Sequence, residues 1–303
     1  MLLIHVGFYR TGSTFLQKRV FPILDHTFRY ESNLKNILDN LVYPNSLLFD
    51  EKKTKKIFKT YNSLKLEKKK IKILSYECFT GHPFSGGFNQ NEIVERLKNV
   101  FPNAKILLIF REQRNHIKSM YKKYVKDGGK KKIYSFLNGR QSLHALSFKK
   151  SYLNYFNIIN KYQSSFGKNR VLAIPYEMLN YDPKEFFKRI SDLINVNIDI
   201  NKVNFEKLNV SSKVGYFGFE RIINNFQKRD PIYNSYKNIH NKNKLMNLVK
   251  NKINKIIPCF FLKKIESNLE KGIDDFFDNY FCESNKKLQK KLGFNLKKYG
   301  YKL

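Results

Sequence analysis

The sequence predicts an α/β protein with a central parallel sheet that helices cover on both faces, a three-layer α/β/α arrangement. Two observations carry this prediction: four short apolar runs that lack polar alternation, and a helical pattern after each run. No tight hairpin joins the runs, and continuous apolar strands are typical of parallel sheets buried on both sides. Hydrophobic residues make up 42% of the 303-residue chain, which is enough for one large core.

The elements of the first half follow from local signals. Short apolar runs that are flanked by glycine, lysine or arginine predict strands. Apolar residues that recur three or four positions apart predict helices. The predicted elements are a strand over 2–7, a helix that Ser13 or Thr14 caps and Pro22 ends, a strand over 70–76, a helix over 91–101, a strand over 105–110 and a helix over 115–125. We expect the residues just after each strand to form the ligand site, because ligands of such sheets lie beyond the carboxyl ends.

The second half continues the alternation and then changes character. We predict a helix over 147–163, a strand over 171–176 and a helix over 183–195 that Asp182 and Pro183 open. From about residue 200 the pattern is helical and lysine-rich, with a polar loop or insertion over 228–245. The simplest account is one domain over 1–303, with a core over 1–200 and a helical part over 201–303.

The charge of the chain is strongly positive. Lys and Arg number 58 against 25 Asp and Glu, a formal net charge of +33, which attracts polyanions such as nucleic acid, anionic membranes or acidic substrates. The lysines accompany many Asn and Ile and no Trp, a pattern that nucleotide bias in a genome also produces. We therefore expect no specific nucleic-acid partner.

The cysteines and apolar segments indicate a cytoplasmic protein without a membrane span. Three scattered cysteines with no C-x-x-C pair predict neither a disulfide framework nor a zinc site. The first residues already form a strand, so we expect no signal peptide. The apolar stretch IIPCFFL over 256–262 is too short to span a bilayer. We expect it to pack in the core, with a peripheral membrane contact as the alternative.

The segment GFYRTGST, which follows the first strand, predicts an anion site. Gly7 and Gly12 have the spacing of a phosphate loop, G-x-x-x-x-G-K-[ST], but Ser13 stands where that loop has lysine. Such a turn directs backbone N–H groups and the helix dipole at an anion. The hydroxyls of Thr11, Ser13 and Thr14 would add donors, and Arg10 supplies the cation.

A second anion site is predicted at the end of the KILLIF strand. Arg111 ends this strand and Ser119 lies eight residues on, so a guanidinium and a hydroxyl could clamp a phosphate. The alternative is that Arg111 pairs with a carboxylate such as Glu112 and that Ser119 is exposed. The strand does not end in the Asp that would hold magnesium. Two separate cationic sites favour a nucleotide with phosphates at two places, and no metal.

The sequence resembles the sulfotransferases that use 3′-phosphoadenylyl sulfate (PAPS), which have a fold similar to that of the P-loop NTPases. GFYRTGSTFLQ is similar to their 5′-phosphosulfate loop, and KILLIFREQRNHIKSMYKKYV to their 3′-phosphate motif, a strand followed by R-x₇-S. The stretch 171–196 resembles the family's strand, Tyr-Glu pair and acidic-Pro helix, and 284–301 resembles the closing segment of bacterial and carbohydrate-type members. Residues 130–150 and 225–280 have no match.

The resemblance implies a role for each matching residue. Arg10, Thr11, Gly12, Ser13 and Thr14, with Phe15 beside them, would hold the 5′-phosphosulfate. Arg111 and Ser119 would hold the 3′-phosphate, and Tyr176 would lie against the adenine. The donor would be PAPS and the product adenosine 3′,5′-bisphosphate (PAP). Arg10 departs from the family, because many members have lysine there beside the bridging oxygen. An arginine keeps the positive charge and can donate two parallel hydrogen bonds from its guanidinium.

The acceptor must lose a proton, so a general base should lie near the sulfur. Glu77, just past the second strand, is the first candidate and His82 in the same loop is the second. The alternatives are a structural carboxylate paired with a cation and a loop histidine without a role. The resemblance favours a carbohydrate or glycolipid-like acceptor, an anionic one included. The sequence does not predict the oligomeric state.

Two other functions remain open at this point. A divergent phosphate-loop kinase would bind Mg-ATP and needs an acidic residue at a strand end, where only Glu77 is placed. A non-enzymatic module would bind any polyanion through its charge, with strong salt dependence.

Overall fold

The computed structural model describes residues 1–26, 28, 30–62, 71–138, 148–206, 215–225 and 258–303. The chain forms two compact units. The first unit comprises 1–113, 144–208 and 279–303, and the second comprises 114–143 and 209–278. The single domain over 1–303 stays a prediction.

The first unit contains a four-stranded parallel sheet. Its strands are β1 (Leu2–Gly7), β2 (Lys72–Tyr76), β3 (Lys105–Phe110) and β4 (Val171–Pro175). They lie in the order β2-β1-β3-β4 and every pair is parallel. Nearly all strand residues are buried, so both faces of the sheet are covered. The predicted α/β class and all four predicted strands are therefore confirmed.

The register of the sheet brings the carboxyl ends of its strands to one edge. Val6 pairs with Tyr76, Gly7 with Ile109, and Phe110 with Pro175. The segments that follow β1, β2, β3 and β4 therefore leave the sheet side by side. This is the edge where an open α/β sheet binds its ligands.

Both units contain α-helices. The α-helices are α1 (Ser13–Phe15), α2 (Phe21–Leu24), α3 (Tyr30–Ile37), α4 (Glu51–Ile57), α5 (Lys59–Asn62), α6 (Gln90–Val100), α7 (Gln113–Lys126), α8 (Ile133–Leu137), α9 (Tyr155–Phe166), α10 (Tyr176–Tyr181), α11 (Pro183–Ile194), α12 (Phe217–Asn224), α13 (Cys259–Phe277) and α14 (Cys282–Leu292). π-helical turns cover Leu16–Val20 and Leu38–Val42. Short 3₁₀ turns include Glu77–Thr80, Pro83–Ser85, Lys150–Leu153 and Leu296–Tyr299.

The start and end of the first helical stretch differ from the prediction. Gly12, with φ of 85°, occupies the cap position, and neither Ser13 nor Thr14 caps the helix. The helical stretch also continues past Pro22 to Leu24. The reason is the π-helical turn before it, because Pro22 then falls in the first turn of a new segment, where its missing N–H costs no hydrogen bond.

Three later boundaries show how local signals succeed and fail. The helix predicted over 147–163 begins only at Tyr155, after a 3₁₀ turn, and residue 147 lies outside the described residues. Strand β4 ends at Pro175, so Tyr176 opens a helix instead of closing the strand. The predicted cap at Asp182 is confirmed, since its carboxylate accepts from the Glu185 N–H at 3.1 Å.

In the second unit, helix α13 is held by ion pairs and by one apolar stripe. Glu266 accepts from Lys118 at 2.8 Å and from Lys122 at 2.7 Å. The buried stripe consists of Leu269, Ile273 and Phe277, at helical spacing. Phe260 precedes this stripe by nine residues, half a turn out of phase, and is 71% exposed.

The core prediction for 256–262 is therefore wrong at Phe260 and at its neighbour Phe261, which is 56% exposed. Residues 256 and 257, and the predicted loop over 228–245, lie outside the described residues. Over the described part of the chain, no helix is both long enough and apolar enough to cross a membrane.

Candidate active site

The loop between β1 and α1 is a tight turn with two residues in the left-handed region. Arg10 has φ of 71° and Gly12 has φ of 85°. The carbonyl of Gly12 accepts from Phe15 N at 3.0 Å and from Leu16 N at 3.3 Å, which starts the helix. A non-glycine residue such as Arg10 adopts this backbone at a cost, and such strain is typical of functional loops.

Thr11 shapes this loop from inside. Its side chain is fully buried, and Oγ1 donates to the carbonyl of Phe8 at 2.6 Å. A hydroxyl has one proton, so Thr11 does not offer that proton to a ligand in this structure. The role of the Thr11 hydroxyl toward an anion stays a prediction, which requires this hydroxyl to leave the Phe8 carbonyl.

Arg111 and Tyr176 meet the loop at the edge of the sheet. Arg111 Nη1 donates to the carbonyl of Arg10 at 3.2 Å, and its guanidinium carbon lies 5.1 Å from the centre of the Tyr176 ring. A Cβ added to Gly12 would lie 2.6 Å from Tyr176 Cε2. The ends of β1, β3 and β4 thus bring together three of the predicted site residues.

A buried carboxylate that sequence reasoning missed supports this group. Glu177 is 8% exposed, and its Oε1 accepts from Glu112 N at 3.1 Å and lies 3.9 Å from Arg111 Nε. Its Oε2 accepts from the Tyr301 hydroxyl at 3.3 Å. Burial raises the pKa of Glu177 to about 7. Glu177 is thus a carboxylate that faces Arg111.

The C-terminal segment is fixed to the same edge. Asn285 accepts from Gln113 Nε2 at 2.8 Å and donates to the carbonyl of Lys302 at 2.8 Å. Tyr301 reaches Glu177, as described above. The Tyr-Glu pair after β4 was a usable signal for Glu177. For Tyr301 there was none, because its partner is 124 residues away.

The turn that begins at Glu77 is held rigidly beside the loop. The Tyr162 hydroxyl donates to the carbonyl of Phe79 at 2.9 Å, and the Tyr152 hydroxyl donates to that of Gly81 at 3.1 Å. Thr80 Oγ1 lies 3.4 Å from the carbonyl of Gly7, the last residue of β1. Glu77 is half-buried at the start of this turn, immediately after β2.

His82 lies farther along the same segment and is exposed. Its ring centre is 5.4 Å from that of Phe84, and Phe84 lies 6.3 Å from Tyr9 in the loop. The structure therefore places both candidate bases on the segment that borders the glycine loop, with Glu77 more enclosed than His82.

The remaining loop residues include one unpaired buried hydroxyl. Ser13 is 2% exposed, and among the described residues its Oγ has no hydrogen-bond partner. Thr14 and Phe15 are half-buried, and the Phe15 ring lies 5.8 Å from that of Phe205. A buried hydroxyl without a partner at the start of a helix fits an anion there.

Ser119 lies on α7, half-buried, in the second unit. Its grouping with Arg111 therefore stays a prediction. No cluster of three or more His, Cys, Asp or Glu side chains that could hold a metal ion occurs within the described ranges.

A profile of the sulfotransferase family matches residues 3–199, a range that includes the glycine loop, Arg111 and Tyr176. The chain belongs to the sulfotransferase family. This membership confirms the resemblance seen in the sequence and makes the protein a sulfotransferase enzyme with the family's P-loop-like fold.

Solved structures similar to this sulfotransferase are distant from it. A sulfotransferase from Alicyclobacillus acidocaldarius is 14% identical, with a TM-score of 0.46 over 72% of this chain and 91% of that one. The sulfotransferase domain of the Synechococcus PCC 7002 olefin synthase is 14% identical, with a TM-score of 0.40 over 70% and 80%. A mouse sulfotransferase complexed with PAP is 15% identical, with a TM-score of 0.34 over 66% and 60%. No curated protein matches this sulfotransferase.

Proposed function

We propose that this sulfotransferase takes the sulfuryl group from PAPS and transfers it to a hydroxyl or amine of an acceptor, leaving PAP. The observation that carries the proposal is the contact between two cationic segments. The Arg10 loop and Arg111 are joined by a hydrogen bond of 3.2 Å, and Tyr176 contacts both. A nucleotide with phosphates at two places fits two such segments better than a linear triphosphate does.

At the 5′ end, the loop residues would hold the phosphosulfate. The first N–H groups of a helix attract an anion, and a helical stretch starts here at Ser13. Ser13 Oγ is a further donor without a partner among the described residues. Thr14 follows directly and would complete this part of the site through its backbone N–H and its hydroxyl, with Phe15 beside it.

At the 3′ end, Arg111 would bind the phosphate and Ser119 would add a hydroxyl. Tyr176, which packs between Gly12 and the Arg111 guanidinium, would contact the adenine. The Tyr176 ring is only half-buried, so part of it is accessible to a ligand.

When bound, PAPS supplies the sulfuryl group and a phosphate as leaving group. Arg10 and the loop N–H groups stabilise the negative charge that grows on that phosphate. Because the loop fixes these donors before the reaction, they need little reorganisation, and losing one commonly costs about 10²–10³ in rate. A phosphate loop of the NTPase kind has its lysine at the position of Ser13. In this chain the cation is Arg10 instead, which is placed to stabilise the leaving phosphate.

We propose Glu77 as the general base that accepts the acceptor's proton, with His82 as the runner-up. Glu77 is half-buried in a turn that three hydrogen bonds hold, whereas His82 is exposed. We expect Glu77→Gln to slow the production of PAP from PAPS and acceptor by about 10²-fold or more. The affinity for PAP should be unchanged. His82→Gln is the matched comparison. If His82→Gln alone slows turnover, the assignment reverses.

For the acceptor we propose a hydroxyl of a carbohydrate or glycolipid-like molecule, anionic molecules included. The support is the resemblance of 284–301 to the closing segment of carbohydrate-type members, together with the net charge of +33. Incubation with sulfur-35-labelled PAPS and parallel panels of glycans, glycolipids and aryl amines tests it. Label on the amines alone would contradict it. We also propose a cytoplasmic location, which the sparse cysteines support.

Thermal-shift assays with PAP, Mg-ATP and a short DNA duplex separate the three functions that the sequence left open. We expect PAP to raise the melting temperature in the presence of a chelator, and Arg111→Ala to abolish this shift. Arg170→Ala is the matched control, because Arg170 precedes β4 at the opposite edge of the sheet, where it donates to the carbonyl of Pro102 at 3.0 Å.

Each alternative predicts a different pattern in this assay. Stabilisation by Mg-ATP but not by PAP would support a kinase and overturn the proposal. Stabilisation by the duplex alone, lost in high salt, would support a polyanion-binding module. An unchanged PAP shift in Arg111→Ala would show that the 3′-phosphate binds elsewhere.

A further inference from the structure

His5 is a fully buried polar residue in the middle of the sheet that the proposed mechanism does not use. It lies on β1, two residues before Gly7, and its side chain is 0% exposed. Phe21 packs edge-on against its ring at 5.3 Å, which fixes the ring's orientation. Burial lowers the pKa of His5 to about 3, so the imidazole is neutral at physiological pH.

One nitrogen of the ring ends a short hydrogen-bonded chain. Gln17 Nε2 donates to Ser75 Oγ at 3.0 Å, and Ser75 Oγ lies 2.8 Å from His5 Nδ1. Since Ser75 accepts from Gln17, its own proton is available to Nδ1. In a neutral ring the remaining proton is then on Nε2. In this arrangement Gln17 donates to Ser75, Ser75 donates to His5 Nδ1, and the Nε2 proton remains for a further acceptor.

The other nitrogen faces the glycine loop. His5 Nε2 is buried and has no partner among the described residues, and the same holds for Ser13 Oγ. Both atoms border one small space beside Gly7: a Cβ added to Gly7 would lie 3.2 Å from Nε2 and 2.7 Å from Oγ. His5 and Gly7 are on the same face of β1, because side chains alternate along a strand. Only the absence of a side chain at Gly7 leaves these two polar atoms facing one space.

We propose that His5 is a positioning residue for the 5′-phosphosulfate site: when the anion is bound, its Nε2–H donates to Ser13 Oγ and so turns the Ser13 proton to that anion. The inference rests on the proposed function, because it assigns the anion to the loop. It places Gln17, Ser75 and His5 in one line of donors behind Ser13. Ser13 touches the anion and His5 acts only through it.

Two substitutions of similar size separate the two nitrogens of the ring. The amide of Gln in His5→Gln reaches the position of Nε2, and the amide of Asn in His5→Asn reaches that of Nδ1. Both variants are titrated calorimetrically with PAP and with adenosine 3′-monophosphate, which lacks the 5′-phosphate. We expect His5→Asn to bind PAP about tenfold more weakly, the effect of one hydrogen bond, and to bind the 3′-monophosphate as the wild type does.

His5→Gln should recover most of the PAP affinity. Ser13→Ala alone should weaken PAP binding as much as His5→Asn does. Combining the two substitutions should weaken it no further. Equal losses for both nucleotides would indicate a merely structural role and overturn the proposal, as would PAP affinity in His5→Asn equal to that of the wild type.

The tautomer gives a readout that needs no ligand. Nitrogen-15 NMR of the wild-type ring should show the proton on Nε2 and a bare Nδ1, and a proton on Nδ1 would overturn the inference. Wild-type protein that binds neither nucleotide would overturn the proposed function, and the inference with it. Wild-type protein that binds PAP, with both His5 variants equal to it, would overturn the inference alone.

Discussion

At the scale of single residues, Gly12 shows most clearly why the loop has its sequence. Its φ of 85° favours glycine, and the Tyr176 ring occupies the space that a Cβ would take. The two constraints are independent, since one comes from the backbone and the other from packing. Gly293 offers a comparison, because its φ is 73° but nothing lies within 4 Å of an added Cβ.

We therefore expect Gly12→Ala to destabilise the protein more than Gly293→Ala does. The backbone strain costs about 1 kcal/mol in both variants, and the contact with Tyr176 adds about 1–3 kcal/mol in the first. Gly12→Ala should also bind PAP at least tenfold more weakly. Urea unfolding and calorimetry measure both effects. Equal stability losses in the two variants would mean that Tyr176 does not pack against the loop.

Glu177 gives the stability a defined dependence on pH. Its pKa is about 7 in the folded protein and 4.5 in a free side chain, so the folded state binds more protons between these values. The stability that this group contributes is fully present below pH 4.5 and is lost as the pH rises through 7. The expected slope is about 1.4 kcal/mol per pH unit within this window.

We expect Glu177→Gln to remove that slope, so that the variant gains stability relative to the wild type as the pH rises from 4.5 to 7. Chemical denaturation at several pH values measures the difference, in which the other titrating groups cancel. A constant difference between Glu177→Gln and the wild type would contradict a raised pKa.

Residue-level signals predicted part of the site and left part of it undetected. Arg10 and Arg111 were singled out because each follows a strand, and strand ends converge in a parallel sheet, whereas Tyr176 came from the family resemblance. Glu177 and His5 could not be assigned roles, because their partners come from other strands and from the chain terminus. Their functions depend on which unpaired atoms face each other, which the order of residues does not contain.

At the scale of elements, strands were easier to predict than helix ends. Each strand is a short, mostly apolar run that is largely buried in the sheet, so its composition marks it. Helix ends depend on tertiary context instead. The stretch after the loop passes Pro22 through a π-helical turn, and α9 begins only after a 3₁₀ turn from which Tyr152 donates to the carbonyl of Gly81.

The C-terminal segment is an element whose role only the structure shows. We expect Tyr301→Phe to lower the free energy of unfolding by about 1–3 kcal/mol, because the hydroxyl donates to the buried Glu177 carboxylate. Tyr181→Phe is the control, since Tyr181 is 69% exposed. If the two variants are equally stable, the segment is not anchored through Tyr301.

At the scale of the whole molecule, the two compact units bear on the prediction of one domain over 1–303. A single domain should unfold in one cooperative transition, and PAP should shift that transition as a whole. Scanning calorimetry with and without PAP tests this. Two transitions, of which PAP moves one, would show that the units fold separately.

The central claim is that one site binds a nucleotide by its 5′ and its 3′ groups. Calorimetric titration of the wild-type protein, in chelator, with PAP, adenosine 5′-monophosphate and adenosine 3′-monophosphate tests it most directly. We expect PAP to bind at least tenfold more tightly than either monophosphate. In Arg111→Ala, PAP should lose its advantage over the 5′-monophosphate and keep its advantage over the 3′-monophosphate. Equal affinity for PAP and the 5′-monophosphate, or binding of Mg-ATP in preference to PAP, would contradict it.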